Sequence, residues 1–270
     1  GDGQKNTREI ASELELSEDH LYRLLRMLGS MGIFEEVSPR VFRNNPTSSF
    51  LRLDNPQNVR AMILMHNSPE MTKPWMESLE ACIRDGCVPF EKVHGINLFG
   101  HMDRDRAFDM LFADAMDVVE NLTGSTYLQD FNWSAFDRII DVGGSKGAKS
   151  LSILKIAPHL KAIVYDRQQV IEAARTSPDE RMPLELSTRL SFQAGDMFDQ
   201  LPAAISEKDL YIFFAIFHGL GDDEAKCLLQ NLRTAIGSSG AHALIVDCVA
   251  QEIHIDPVIA GFDMQMLICT

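Results

Sequence analysis

The sequence predicts an α/β protein, in which a parallel sheet covered by helices follows a mostly helical N-terminal domain. Three observations support this prediction. From residue 137 onward, short apolar runs alternate with helical patterns, as expected for successive βαβ units. Residues 138–147 (RIIDVGGSKG) lead an apolar strand into a glycine-rich turn, and a second predicted strand, 162–165, is followed by the carboxylate of Asp166. Together these features predict the first βαβ unit of a nucleoside-binding sheet, within a C-terminal domain spanning residues 131–270.

The glycine-rich turn is the centre of the predicted nucleoside site. Glycine lets the backbone approach a ligand where a Cβ would collide, and Asp166 can accept hydrogen bonds from both hydroxyls of a ribose. The dinucleotide motif GxGxxG does not fit, because Val142 stands where its first glycine would be. The spacing Asp-x-Gly-x-x-x-Gly is closer to sites for S-adenosylmethionine, although glycine turns also follow strands that bind no ligand. The residues of the turn predicted to bind this cofactor are Asp141, Gly143, Gly144 and Gly147.

Polar residues also follow the later predicted strands, which are residues 190–194, 210–217 and 243–246. Ligands of open parallel sheets bind beyond the carboxyl ends of the strands, so these polar residues are predicted to share one rim. Asp196 can accept a hydrogen bond from an adenine amino group, and the apolar side chains that follow it can hold the ring. The complete set after these strands is Asp196, Met197, Phe198, His218 and Asp247.

His218 is the predicted catalytic residue. It follows a wholly apolar run, and an imidazole is suited to removing a proton from a hydroxyl near neutral pH. Asp247 would orient the ring and stabilise the imidazolium, provided that the strands 210–217 and 243–246 are neighbours. The alternative is that His218 is a core histidine with satisfied hydrogen bonds and no catalytic role.

The N-terminal domain is predicted to span residues 1–130. Within it, residues 7–44 predict two short helices and a hairpin in a winged-helix arrangement. Such a module either binds DNA through its second helix, 17–28, or packs within an enzyme. The acidic start of that helix favours packing, because recognition helices usually carry clustered basic residues. Residues 55–130 are predicted to be mostly helical, with some of them lining the substrate-binding site. The candidate substrate contacts are His66, Phe112 and Met116.

Composition excludes several classes of partner. The formal net charge is −14 at pH 7, which repels phosphate backbones and anionic lipid, so neither nucleic acid nor a membrane is an expected partner. The five cysteines include no C-x-x-C pair, which predicts reduced thiols. The sequence has no tight cluster of histidine and carboxylate residues, so a metal site is not predicted. No apolar run reaches the roughly 18 residues of a membrane span, and no leader is recognisable, so a cytoplasmic protein is predicted.

The motifs in their order resemble those of the small-molecule O-methyltransferases that use S-adenosylmethionine. This family contains plant caffeate-type, hydroxyindole and bacterial polyketide-tailoring enzymes. The resemblance rests on the winged helix followed by DVGGSKG, VYD, AGDMF and FHGLGDDE, and it covers nearly the whole chain. It implies a Rossmann-like class I methyltransferase sheet and a metal-independent homodimer that methylates a hydroxyl of an aromatic or polyketide-like small molecule. By this resemblance the cofactor contacts would be Gly143, Asp166, Asp196 and Met197, with His218 as the general base beside Asp247.

The sequence departs from the family pattern at the rim. Ser145 replaces a third glycine, Phe214 stands where a lysine or arginine is usual, and Gly219-Leu220 replaces Asp-Trp after the histidine. These departures leave two alternatives open. One is an enzyme of this fold that binds S-adenosylmethionine and catalyses a pericyclic or decarboxylating reaction, and the other is a ligand-sensing transcriptional regulator. The chain also begins inside the winged helix and stops after residues 262–267, so we expect the family's N-terminal helices and last strands to be missing.

Overall fold

The computed structural model describes residues 3–123, 126–176 and 184–270. The chain divides into two compact units, one formed by residues 1–72 with 102–123 and the other by residues 73–101 with 124–270. These units interleave along the chain, and the predicted domain boundary at residue 130 stays a prediction. Within the described stretches, no helix is both long enough and apolar enough to cross a membrane.

The elements up to residue 123 are mostly helices. In chain order they are β1 (Lys5–Asn6), α1 (Thr7–Glu13), α2 (Glu18–Ser30), β2 (Phe34–Ser38), β3 (Val41–Asn44), α3 (Pro46–Ser49), α4 (Arg60–His66), α5 (Pro69–Glu77), α6 (Leu79–Asp85), α7 (Pro89–His94), α8 (Leu98–Arg104) and α9 (Arg106–Thr123). The three strands form an antiparallel sheet in the order β1-β3-β2. This sheet and the two helices α1 and α2 form the predicted winged-helix arrangement.

The core of this winged helix is small and apolar. Ala11 of α1, Leu21 and Leu25 of α2 and Phe42 of β3 pack together, and each is at most 9% exposed. Residues 21 and 25 are four positions apart, so they lie on the same face of α2. In the same unit, α4 packs against α9.

The second half of the chain alternates strands and helices, as the sequence predicts. Its elements are β4 (Arg138–Val142), α10 (Ala148–Ile156), β5 (Lys161–Asp166), α11 (Gln168–Thr176), α12 (Leu184–Ser187), β6 (Leu190–Ala194), β7 (Asp209–Phe214), α13 (Asp222–Ile236), β8 (His242–Val246) and α14 (Pro257–Cys269). The strands form one parallel sheet in the order β6-β5-β4-β7-β8. The order reverses at β4, and such a reversal opens a crevice at the carboxyl ends of the neighbouring strands.

Helices cover both faces of this sheet. Alternate residues of β4 point to opposite faces, and both Ile139 and Ile140 are fully buried. Ile139 packs in a cluster with Leu154 of α10, whereas Ile140 packs in a separate cluster with Leu228 of α13. Burial on both sides explains why β7, like β4 beside it, is buried along nearly its whole length and is apolar without alternation.

β7 is shorter than predicted. The apolar run 210–217 predicted one continuous strand, but β7 ends at Phe214. Ala215 adopts a left-handed backbone conformation with φ of 54°, while its N–H still donates to the carbonyl of Val246 on β8 at 2.9 Å. A 3₁₀ turn then spans Phe217–Gly219. The prediction was wrong here because an apolar composition does not reveal a single left-handed residue.

The prediction that all five cysteines are reduced is wrong for one pair. Cys82 and Cys87 form a disulfide, with their Cα atoms 4.6 Å apart. The helix α6 carries Cys82, and it ends at Gly86, whose φ of 70° reverses the chain and brings Cys87 back to the helix. Glycine tolerates this left-handed conformation, which is common at helix ends. The other cysteines, Cys227, Cys248 and Cys269, are free thiols.

Candidate cofactor and methyl-transfer site

The backbone conformation and the packing of the turn after β4 require glycine at three positions. Gly143 has φ of 74°, and a Cβ built on it would lie 2.5 Å from the side chain of Ile216. Gly147 has φ of 82°, and a Cβ on Gly144 would lie 2.5 Å from the carboxylate carbon of Asp141. L-residues with side chains rarely adopt positive φ, so substitution at 143 or 147 would strain the backbone. The turn therefore has one compact conformation, next to the end of β7.

Asp141 supports this turn from inside the protein. The residue is 1% exposed, and its carboxylate accepts a hydrogen bond from the hydroxyl of Ser150 at 2.7 Å. Ser150 belongs to α10, so this bond joins the end of β4 to the helix that follows the turn. Asp141 therefore supports the turn, and its predicted contact with the cofactor stays a prediction.

Asp166 lies at the end of β5, beside the same turn. One carboxylate oxygen accepts the backbone N–H of Ser145 at 2.8 Å, and the other accepts the N–H of Arg167 at 2.7 Å. Burial raises the pKa of this carboxyl above its usual range, and the two N–H donors oppose that rise. Each carboxylate oxygen has a second lone pair, so Asp166 can still accept two hydroxyl donors.

The segment after β6 carries the three residues predicted to hold an adenine. Asp196 accepts the backbone N–H of Phe198 at 2.8 Å, and Asn231 of α13 donates to the carbonyl of Met197 at 3.0 Å. The methyl group of Met197 lies 3.8 Å from the position of a Cβ on Gly143. The segment is therefore adjacent to the glycine turn.

His218 and Asp247 form a hydrogen-bonded pair at the ends of β7 and β8, which are neighbours as the prediction required. The His218 Nδ1 lies 2.6 Å from one oxygen of Asp247, and the backbone N–H of His218 donates to the other oxygen at 3.1 Å. The side chains are 21% and 11% exposed. A carboxylate at Nδ1 favours the tautomer with its proton on that nitrogen, which leaves Nε2 as the basic position.

Phe262 of α14 was not predicted, and it contacts the histidine directly. Its ring lies edge-on to the imidazole, with the ring centroids 4.8 Å apart. The ring contact and the Asp247 hydrogen bond both restrict the imidazole. The apolar sequence of α14 gave no signal for this role, because it does not show that the helix will pack against the turn that carries His218.

The three candidate substrate residues belong to the first unit. His66 is the last residue of α4, while Phe112 and Met116 lie one turn apart on α9, to which α4 is packed. Met116 is 38% exposed, and the ring of Phe112 lies 6.4 Å from that of Phe108. Their contact with a substrate stays a prediction.

A parallel sheet that holds polar groups along the rim at its reversal point is the arrangement of the doubly wound, nucleotide-binding class of proteins. Comparison with known families then identifies the family. The model of the O-methyltransferase domain matches residues 75–270, and that of the O-methyltransferase dimerisation domain matches residues 1–53. The chain therefore belongs to the O-methyltransferase family, and the predicted family, fold class and use of S-adenosylmethionine are confirmed.

Individual relatives agree with this assignment. The O-methyltransferase SfmM3 of Streptomyces lavendulae is 31% identical, over 92% of this chain and 72% of the relative. The crystal structure of LaPhzM is 26% identical with a TM-score of 0.89, over 99% of this chain and 78% of that one. The structure of NcsB1, an O-methyltransferase from neocarzinostatin biosynthesis in complex with S-adenosylmethionine and 2-hydroxy-5-methyl naphthoic acid, is 27% identical with a TM-score of 0.79, over 98% and 78% of the chains.

Proposed function

We propose that this protein transfers a methyl group from S-adenosylmethionine to a hydroxyl of an aromatic or polyketide-like small molecule, with His218 as the general base. The observation that carries the proposal is the 2.6 Å contact between His218 Nδ1 and Asp247 at the rim of the sheet. This contact leaves Nε2 to meet an acceptor hydroxyl. The hydroxylated naphthoic acid in the NcsB1 structure supports an aromatic acceptor.

The residues at the rim fit an adenosyl group. Asp166 retains acceptor positions for the two ribose hydroxyls, and Met197 supplies an apolar surface next to the glycine turn. Asp196 offers a carboxylate to the amino group of the base. When it is bound, S-adenosylmethionine supplies a methyl group activated by a positively charged sulfur. The protein's part is to hold the reacting atoms in line and to exclude water, and alignment alone contributes about 7–11 kcal/mol in well-held reactions.

His218 handles the proton of the acceptor. Its Nε2 takes the hydroxyl proton while the oxygen bonds to the methyl carbon and the carbon–sulfur bond breaks. Asp247 keeps Nδ1 protonated before the step and stabilises the imidazolium after it. General-base assistance of this kind contributes about 10²- to 10⁴-fold to the rate.

Substitution His218→Gln tests the base directly. Glutamine cannot accept the proton, so turnover should fall by about 10²- to 10⁴-fold while the affinity for S-adenosylhomocysteine, measured by calorimetry, stays near that of the wild type. The matched control is His242→Gln, because His242 is exposed at the opposite end of β8 from Asp247. Turnover retained by His218→Gln would remove this residue from the base role.

The same assay tests the reaction class. Methyl transfer releases one S-adenosylhomocysteine for each methylated product, so both are quantified by mass spectrometry during turnover. Consumption of an acceptor without S-adenosylhomocysteine would instead favour the non-methylating alternative.

We also propose that the protein is a homodimer. The dimerisation domain model covers the winged helix, and its helices expose apolar side chains away from their own core. On α2, Leu24 and Met27 are 51% and 53% exposed, and Met31 at its end is 65% exposed. Their spacing of three and four residues places them on one stripe, distinct from the buried Leu21 and Leu25. A second copy of the chain would cover this stripe.

A further inference from the structure

Tyr165, the residue before Asp166, contacts the segment that carries the predicted adenine site. The residue is 3% exposed, and its side chain lies under the turn after β6. Its hydroxyl is shared between the carbonyl of Gln200 at 2.6 Å and the carbonyl of Asp196 at 3.1 Å. One phenol on β5 therefore holds both ends of the segment 196–200.

Gly195 completes this arrangement. A Cβ built on Gly195 would overlap the Tyr165 hydroxyl, so the phenol occupies the space that a side chain at 195 would need. Burial, together with the nearby charges of Asp196 and Asp199, raises the pKa of the Tyr165 phenol. The phenol therefore keeps its proton and remains a donor to the carbonyl groups.

The rest of the segment is held from the other side. Asn231 donates to the carbonyl of Met197, and the thiol of Cys227 lies 3.7 Å from the carbonyl of Phe198. Both residues belong to α13. The segment is thus fixed between β5 and α13, and the Tyr165 hydroxyl is the contact that β5 makes with the backbone of Asp196.

We propose that Tyr165 is a positioning residue for base recognition, which fixes Asp196 where its carboxylate accepts the exocyclic amino group of adenine. The proposal rests on the proposed function of this rim. Adenine presents an N–H donor at this position, whereas hypoxanthine presents a carbonyl oxygen that a carboxylate repels. If the hydroxyl of Tyr165 is removed, Asp196 gains freedom to move away, and discrimination between the two bases decreases.

The test compares two ligands on the full chain. Affinities for S-adenosylhomocysteine and for its hypoxanthine analogue, S-inosylhomocysteine, are measured by calorimetry with wild type and Tyr165→Phe. Loss of one hydrogen bond should weaken S-adenosylhomocysteine binding by about three- to tenfold, with a smaller loss for the analogue. The ratio of the two dissociation constants, which expresses the preference for adenine, should therefore move toward one. The kcat at saturating cofactor should stay near the wild-type value.

Tyr211→Phe is the matched control. Tyr211 is also a buried tyrosine of the sheet, and its hydroxyl donates to the carbonyl of Pro202 at 2.5 Å. A purely structural role predicts that both variants lower the melting temperature and leave the preference between the ligands unchanged. That result would overturn the proposal. Gly195→Ala is the second variant. Because its Cβ displaces the phenol, it should reduce the preference for S-adenosylhomocysteine over S-inosylhomocysteine as Tyr165→Phe does.

Failure of the proposed adenosyl site at this rim, on which the inference rests, would look different. In that case the wild-type protein would itself bind S-adenosylhomocysteine no better than S-inosylhomocysteine, before any substitution is made. A wild type that prefers adenine, combined with an unchanged preference in Tyr165→Phe and in Gly195→Ala, would reject only the role of Tyr165.

Discussion

At the level of single residues, the proposed ribose contact Asp166 is a buried carboxylate whose burial costs the fold some stability at neutral pH. Its pKa lies above the usual 3.8 because burial disfavours the charged form more than its two N–H donors favour it. The folded chain therefore holds this proton more tightly than the unfolded chain does. Stability contributed by the group is fully present at low pH and is lost as the pH rises through the unfolded and then the folded pKa. Hydroxyl donors from a bound ribose would offset that loss.

This shift predicts the pH dependence of cofactor binding. Ribose hydroxyls donate to the ionised carboxylate, so affinity for S-adenosylhomocysteine should fall as the pH drops through the raised pKa of Asp166. The fall should begin at a higher pH than an aspartate with an ordinary pKa would give. Calorimetry across the acid range measures it, and Asp166→Ala should bind about ten- to a hundredfold more weakly at neutral pH. An affinity in the variant equal to that of the wild type would contradict the ribose contact.

The residues of the site were predictable to different degrees. His218 and Asp247 could be named because each follows an apolar run, but their contact depended on a strand order that the sequence does not encode locally. Phe262 could not be named, since its contact with the imidazole depends on how α14 packs. The second role of Asp247, accepting the backbone N–H of His218, also required the structure.

At the level of elements, an ion pair joins the amino ends of β4 and β7. The guanidinium of Arg138 donates to both oxygens of Asp209, at 3.0 and 2.5 Å, and Asp209 is 2% exposed. Asp209 also accepts the backbone N–H of Ile205 at 2.7 Å. The pair therefore ties the two central strands and the preceding loop together, at the end of the sheet opposite the site.

Removing one partner of this pair should destabilise the protein strongly. Arg138→Met leaves the Asp209 carboxylate buried without its cation, and the expected loss is about 3–5 kcal/mol in the free energy of unfolding. Urea denaturation measures it, and Arg138→Met combined with Asp209→Asn should recover part of the loss. The control is Arg84→Met, whose exposed pair with Glu80 contributes about 0–1 kcal/mol. Equal losses in the two single variants would show that the buried pair does not hold the strands.

Prediction of the elements failed where one residue changes the chain direction. Four of the sheet strands are close to their predicted limits, because each is an apolar run bounded by polar or glycine residues. The apolar run 210–217 is longer than the strand it forms, because the strand ends before Ala215, whose backbone is left-handed. No glycine in the sequence marks this change of direction. The Cys82–Cys87 disulfide was missed for a similar reason, since it depends on the reversal at Gly86.

At the scale of the whole molecule, charge decides between the two interpretations of the winged helix. The start of α2 is acidic, and Glu18 and Asp19 form ion pairs with Arg40 at 3.3 and 3.1 Å. Arg40, in the turn between β2 and β3, is therefore already paired with carboxylates of α2. Together with a net charge of −14, these pairs favour a packing module over a DNA-binding one.

The exposed stripe of α2 gives the last prediction, which concerns assembly. Wild-type protein should elute with twice the mass of one chain in size-exclusion chromatography with light scattering. Leu24→Glu combined with Met27→Glu places two charges in the middle of the proposed contact, where they would be desolvated without partners, and should shift the protein to monomer. Ile205→Glu is the control, because it adds a charge to an apolar side chain that is 77% exposed in the other unit. Dimers that persist in the double variant, at the wild-type dissociation constant, would place the contact elsewhere on the chain.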